Sequence, residues 1–259
     1  MLSYEQHLHF SIHGWVLEEN VLNPDQVETY KQGLDRLAML LKPHEKDSED
    51  ITNIDTMVKH EALFRDWIMM PEVLEANRQL MGCEIKYECC HAMIKIPHPD
   101  RHTRLDALRD VEQMGWRRGL RPKWGIVPHD DDDTLIQSTF LNNITYLTDV
   151  SPTDGGTMVL DGSHKLEGNY ASLKDQCEIV ELTAQAGSIL HFTESLIHTG
   201  VPILSEQRRY TMFYGFTPSW YVTWPTCEVP PQIYETIKNE ELREILGGRS
   251  GYVKQDPVI

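Results

Sequence analysis

The chain is short of cysteine and of positive charge. Five cysteines, Cys83, Cys89, Cys90, Cys177 and Cys227, are scattered over 259 residues. An odd count at irregular spacing excludes a disulfide framework and predicts free thiols in a reducing compartment. Neighbouring Cys89 and Cys90 would point to opposite faces of a strand. Lysine and arginine total 24 against 40 aspartates and glutamates, a net charge of −16. Such a balance repels nucleic-acid phosphates and anionic membrane surfaces, so neither is an expected partner. No run of ~18 apolar residues is present to span a bilayer, and the N-terminus lacks a basic-then-apolar leader pattern. The expected location is cytoplasmic. Internal repeats and low-complexity linkers are also missing.

What remains is enough hydrophobic residue, 40% of the chain, to fill one large core, and the expectation is a single domain over 1–259. Asn23-Pro24 supplies a cap and first-turn pair, after which Val27, Tyr30, Leu34, Leu37 and Leu41 recur at helical spacing. Met70-Pro71 begins a second helix that Gly82 stops. Residues 43–60 are rich in charge and read as an exposed, mobile loop. Lys86 to Ile96 alternates imperfectly as a strand. From Ser138 onward, short β-branched and aromatic stretches are punctuated by Gly, Pro and Asp: Ser138–Leu147, Thr157–Leu160, Gly187–Phe192 and Arg209–Tyr214. Ile233 to Leu246 returns to a helical period. The fold class is therefore mainly β with flanking helices, a double-stranded β-helix or jelly roll of the cupin-like kind. Its helical N-terminal part covers about 20–82, its β core about 84–220 and a C-terminal helical extension about 230–247.

The most informative residues are His129-Asp130-Asp131, then His198, then Arg209. Alternate strand residues project to one side, so His129 and Asp131 can reach one metal while Asp130 points away. His198, 69 residues on, must come from a returning strand. Two imidazoles and one carboxylate occupy one face of an octahedron and leave the other positions open, the ligand set of a non-haem Fe(II) oxygenase. Arginine offers a planar fork that matches a carboxylate bidentately, so Arg209 is placed to hold an acidic co-substrate. Arg208 competes, but on a strand it faces the other way. His191 competes with His198 as the distal ligand, and Glu194 is a further candidate. Residues 101–123 carry Arg101, Arg104, Arg109, Arg117, Arg118, Arg121 and Lys123 against Asp106, Asp110 and Glu112, and read either as a solvated helix and loop or as a lid whose arginines meet an anionic substrate. Trp116, Trp124, Trp220 and Tyr221 either line an apolar cavity or fill the core.

Taken together the motifs resemble the phytanoyl-CoA dioxygenase (PhyH) family of Fe(II)/2-oxoglutarate oxygenases. The resemblance runs over roughly residues 5–220 and is carried by Lys95-Ile96-Pro97, His129-Asp130-Asp131, Gly155-Gly156, Gly162-Ser163-His164, and His198 with Arg209 eleven residues later. It implies that His129, Asp131 and His198 hold Fe(II), that Arg209 meets the C5 carboxylate of 2-oxoglutarate, and that Lys95 lies near the same co-substrate. It also implies O₂ as oxidant, and hydroxylation of an unactivated C–H bond in a small-molecule substrate, anionic or a natural product, with release of succinate and CO₂. Halogenating relatives lack the carboxylate that Asp131 supplies. Three positions depart from the pattern: Asp161 stands for a common Pro and predicts a less rigid loop, Gly200 for a Ser that contacts the co-substrate in some members, and Pro128 for an aromatic residue. Two other classes share the expected fold. One is a cupin-like metal enzyme without a keto acid, which would more often show extra histidines and no counterpart of Arg209. The other is a binding protein without turnover.

Overall fold

The computed structural model describes residues 1–119, 138–222 and 227–247. Helix α1 (Tyr4–His13), strand β1 (Trp15–Glu18), helix α2 (Pro24–Leu40), strand β2 (Ile51–Asp55), helices α3 (Ala62–Asp66) and α4 (Pro71–Met81) lead to the long strand β3 (Ile85–Lys95) and the short helix α5 (Leu105–Arg109). Strands β4 (Leu141–Tyr146) and β5 (Thr157–Leu160), helix α6 (Tyr170–Leu173), and strands β6 (Ile179–Leu182), β7 (Ile189–Thr193), β8 (His198–Gly200) and β9 (Arg209–Pro218) follow. Helices α7 (Pro231–Tyr234) and α8 (Glu240–Gly247) come last.

Among the described residues the strands form two antiparallel sheets, ordered β1-β7-β4-β9-β3-β2 and β6-β5-β8. One face of the larger sheet sends Ile144, Tyr146, Leu190 and Phe192 against Val159 and Leu182 of the smaller. Its other face sends Ala92, Ile94, Met212 and Phe216 against the helices, where Leu34, Phe64, Leu80 and Ile245 complete the main core. Helices pack outside and two sheets face each other inside. The architecture is the jelly roll that the strand spacing predicts.

Local chemistry explains the element ends. Asn23 accepts from the Gln26 amide at 3.0 Å while the Gln26 side chain accepts from the Asn23 amide at 2.9 Å, a reciprocal cap that starts α2. Gly82, at φ 68°, stops α4 in the left-handed conformation. The imperfect alternation of β3 has a cause in a register shift between Tyr87 and Cys89.

Two expectations need correction. Residues 43–60 are not a bare exposed loop, since β2 pairs with β3 from Ile51↔Lys95 to Asp55↔His91, and Ile54, Met57 and Val58 are buried. The C-terminal helical period is split, because the Asn239 side chain accepts from the Leu242 amide at 3.0 Å and starts α8 afresh.

Candidate active site

Period-two alternation decides what the larger sheet presents to the smaller one. Residues Cys89, His91, Met93 and Lys95 of β3 share one face, and they line a cavity of about 840 Å³. β9 adds Arg209 and Phe213, β4 adds Asn142 and Ile144, and β8 adds His198, Thr199 and Gly200. The volume is that of a small-molecule site.

Arg209 sits directly across from Lys95 in the β3–β9 register. Its residue is 4% exposed and its Nε has no hydrogen-bond partner among the described residues. Burial lowers its pKa from the ordinary arginine value, with Tyr146 acting weakly the other way. Burial, then the positive charge of Arg209, pulls the Lys95 ammonium down to about 8. Two neighbouring cations in an apolar setting are unfavourable alone and complementary to a carboxylate. Arg208 faces outward, half exposed, with Nη2 3.8 Å from Asp35 Oδ1 and its guanidinium 5.0 Å from the Tyr210 ring centre.

His198 lies at the same cavity, 6% exposed. Its Nδ1 is 2.9 Å from the carbonyl of Leu196, an acceptor, so Nδ1 carries the proton and donates. Nε2 is left with its lone pair, the tautomer a metal ligand needs. The Arg117 Nε–H donates to that lone pair at 3.4 Å. Burial above all lowers the His198 pKa to about 4, so the ring is neutral near pH 7. Phe192 packs edge-on at 4.9 Å between ring centres.

His191, the rival of His198, belongs to the opposite face. It pairs across from Asn143, is fully buried, and its Nε2 lies 3.2 Å from Glu18 Oε2. Glu194 does reach the cavity, where its carboxylate accepts from the Asn142 amide and burial raises its pKa. Its backbone is tied at both ends, Glu194 N–H donating to Phe140 O and Gly119 N–H to Glu194 O, each at 2.9 Å.

The segment expected as a lid divides. Arg117 pairs its backbone with His198, each amide donating to the other's carbonyl at 2.9 Å, which fixes the arginine beside the imidazole. Arg118 instead donates to the carbonyls of Ser163, Leu166 and Gly168. It holds the Gly162-Ser163-His164 loop, whose Ser163 hydroxyl accepts from the Ile197 amide at 2.9 Å next to His198. Asp161, standing for a proline, does not loosen this loop. Its carboxylate lies 2.6 Å from His13 Nδ1 and accepts from Trp15 Nε1 at 2.8 Å. Trp116 stacks on Tyr170 at 4.6 Å and packs with Leu160, Leu173 and Ile197. A Cβ at Gly200 would meet nothing within 4 Å, so the position has room for a side chain.

Of the expected site residues, Lys95, His198 and Arg209 converge on one cavity. His129 and Asp131 lie outside the described residues, as do Pro128, Arg121 and Trp124, and among the described residues no set of three His, Cys, Asp or Glu side chains is arranged to hold a metal. Sequence reasoning passed over His91, Asn142 and Phe213. His91 stacks on Phe213 with ring centres 4.4 Å apart and planes 3° apart, and burial lowers its pKa to about 4. The alternation of Cys89, His91, Met93 and Lys95 held the signal.

The model of the phytanoyl-CoA dioxygenase (PhyH) family matches residues 10–211. The chain belongs to that family. No curated protein matches the sequence. Among solved structures, HygX from Streptomyces hygroscopicus with nickel and 2-oxoglutarate bound superposes with a TM-score of 0.69 at 18% identity, covering 99% of this PhyH chain and 98% of its own. SnoN, a non-haem α-ketoglutarate-dependent epimerase from nogalamycin biosynthesis, gives 0.67 at 14% identity over 88% and 89% of the two chains. SnoK, a carbocyclase from the same biosynthesis, gives 0.64 at 15% identity over 84% and 85%. At these identities the likeness is one of fold.

Proposed function

We propose that this PhyH protein is an Fe(II)/2-oxoglutarate-dependent oxygenase that hydroxylates an unactivated C–H bond of a small molecule, releasing succinate and CO₂. The observation that carries the reading is the buried Arg209 guanidinium, its Nε without a partner among the described residues, opposite Lys95 and in the same cavity as the His198 lone pair. A dicarboxylate fits this arrangement because it supplies the missing negative charge and acceptors. His129, Asp131 and His198 are the proposed iron ligands, with the Leu196 carbonyl fixing the tautomer of the last.

Each residue has a defined task. Arg209 binds the distal carboxylate of 2-oxoglutarate through two parallel N–H donors, and protonated Lys95 adds charge beside it. His198 presents Nε2 to the cation once Arg117 gives up its hydrogen bond there. Phe192 and Ile144 keep water from the reacting end, and the flat pair His91–Phe213 gives the substrate a neutral wall. When bound, the metal and the keto acid together supply the oxidant that removes hydrogen from carbon. Support for the cofactors comes from the relatives: HygX was crystallised with iron, with nickel and 2-oxoglutarate, and with hygromycin B as well. The epimerase and the carbocyclase carry the same cofactor chemistry to other products, so outcome depends on how the substrate lies.

Purified protein supplied with Fe(II), ascorbate and 2-oxoglutarate in air is expected to release succinate. Arg209→Ala should lower kcat/KM for 2-oxoglutarate by about a hundredfold or more, the loss of a buried bidentate charge pair. No succinate from iron-loaded protein would favour a metal enzyme without a keto acid or a binding protein.

A further inference from the structure

The cavity is polarised along its length. Strand register places Lys95 and Arg209 at one end, His91 and Phe213 four residues further along β3 and β9, and Asn142, across from Gly215, at the other end with Glu194. Under the reading above, the two cations are taken by 2-oxoglutarate. Between the ends the His91–Phe213 pair is uncharged, since burial keeps the imidazole neutral near pH 7, with Arg117 and Lys46 also on the cavity lining. The substrate end presents carboxylate and amide.

Glu194 is built into that end. Backbone bonds to Phe140 and Gly119 fix its main chain, and the carboxylate lies so close to Gly119 that a Cβ there would overlap it. Among the described residues it accepts one side-chain hydrogen bond, from the neutral amide of Asn142, and makes no ion pair. The Arg117 guanidinium acts on Glu194 across space, without an ion pair to it, and donates its hydrogen bond to His198 Nε2. Arg118 is engaged with loop carbonyls, and Lys46, at the mouth, is exposed to solvent. Among the described residues this cavity-wall carboxylate has one neutral side-chain donor, and a cationic donor completes such a group far better than a neutral or anionic one.

We propose that Glu194 selects the substrate: the site takes a polar, ring-sized molecule carrying an ammonium group, which the Glu194 carboxylate holds while the ring lies against His91 and Phe213. The proposal rests on the assignment of Lys95 and Arg209 to 2-oxoglutarate. It replaces an anionic substrate with a cationic one.

The test is isothermal titration of the full chain loaded with Ni(II), first with 2-oxoglutarate and then with three probes matched in size: cis-1,3-diaminocyclohexane, cyclohexane-1,3-diol and cyclohexane-1,3-dicarboxylate. The diamine should bind about tenfold or more tightly than the diol, and the dicarboxylate least, the discrimination expected of one charge-assisted hydrogen bond. Glu194→Gln should bring diamine and diol to within about threefold of each other, and Glu194→Asp should restore part of the preference. Circular dichroism and the 2-oxoglutarate titration establish that each variant is folded. If 2-oxoglutarate binds but the diamine has no advantage, or keeps it in folded Glu194→Gln, the proposal is overturned alone. If 2-oxoglutarate does not bind to wild type, the assignment of the cationic end fails and the proposal falls with it.

Discussion

Arg209 and Lys95 face each other as like charges that Asp50 offsets only on the lysine side, and under the proposed function a bound carboxylate completes the pair, which sets two expectations at the residue scale. Because burial lowers the Lys95 ammonium to about 8, 2-oxoglutarate bound there as proposed must find it protonated. Affinity should be full below pH 8 and fall as pH rises through that value, about tenfold by pH 9. Lys95→Met should bind more weakly at pH 7 and lose the pH dependence, as calorimetry at several pH values would show; an unchanged slope in Lys95→Met would assign the titration elsewhere. Arg208→Ala should leave 2-oxoglutarate affinity within about twofold of wild type, since that side chain faces solvent and Asp35. At this scale His198 and Arg209 were legible because spacing and strand parity both pointed to them. Glu194 surfaced only as a rival metal ligand, because nothing local says that Gly119 and Phe140 hold it at the cavity wall. His91 carried no signal beyond its parity.

Among the elements, those with their own caps or alternation could be read directly. The Asn23-Pro24 cap and first turn, the Gly82 stop and the short strand Thr157–Leu160 are local signals, and the structure has all three. β2 was not legible because its partner is distant: Ile51-Thr-Asn-Ile-Asp55 is short, and only pairing with β3 makes it a strand. The close approach of loop and strand at Gly187 gives a test at this scale. Gly187 has φ 92°, and a Cβ there would lie 2.3 Å from the Leu22 carbonyl oxygen, part of the Leu22 N–H to Gly187 O contact that leads into α2. Gly187→Ala should destabilise the fold by about 2 kcal/mol or more, through both strain and clash. A denaturation midpoint equal to wild type would show that this turn yields easily.

For the whole molecule, acidity and buried imidazoles act in the same direction. His91 and His198 both have pKa values lowered to about 4 by burial, whereas in the unfolded chain they take a proton near pH 6.5. Between pH 6.5 and 4 the unfolded state therefore binds more protons than the native one, so stability is complete above 6.5 and declines as pH falls, by ~3 kcal/mol for each ring. Urea unfolding across this window should show the decline, and His91→Gln should reduce its slope by about one proton. The same packing that strips the rings of charge leaves His198 Nε2 an unprotonated acceptor at neutral pH, where Arg117 Nε–H donates to it. The overall jelly roll was readable from turn spacing and composition, but how the helical layer, the two sheets and the cavity between them share the chain depends on register that no window of sequence carries.

The central claim is that this cavity gathers a divalent iron and 2-oxoglutarate on one set of side chains. Its most direct measurement is anaerobic addition of Fe(II) and 2-oxoglutarate to the metal-free protein, followed by visible absorption for the charge-transfer band of a chelated keto acid. The account predicts a saturable band in wild type, its loss in His198→Ala and Asp131→Ala, and a requirement for about a hundredfold more 2-oxoglutarate in Arg209→Ala. A colourless wild-type protein, or a band of full intensity and unchanged affinity in all three variants, would contradict it.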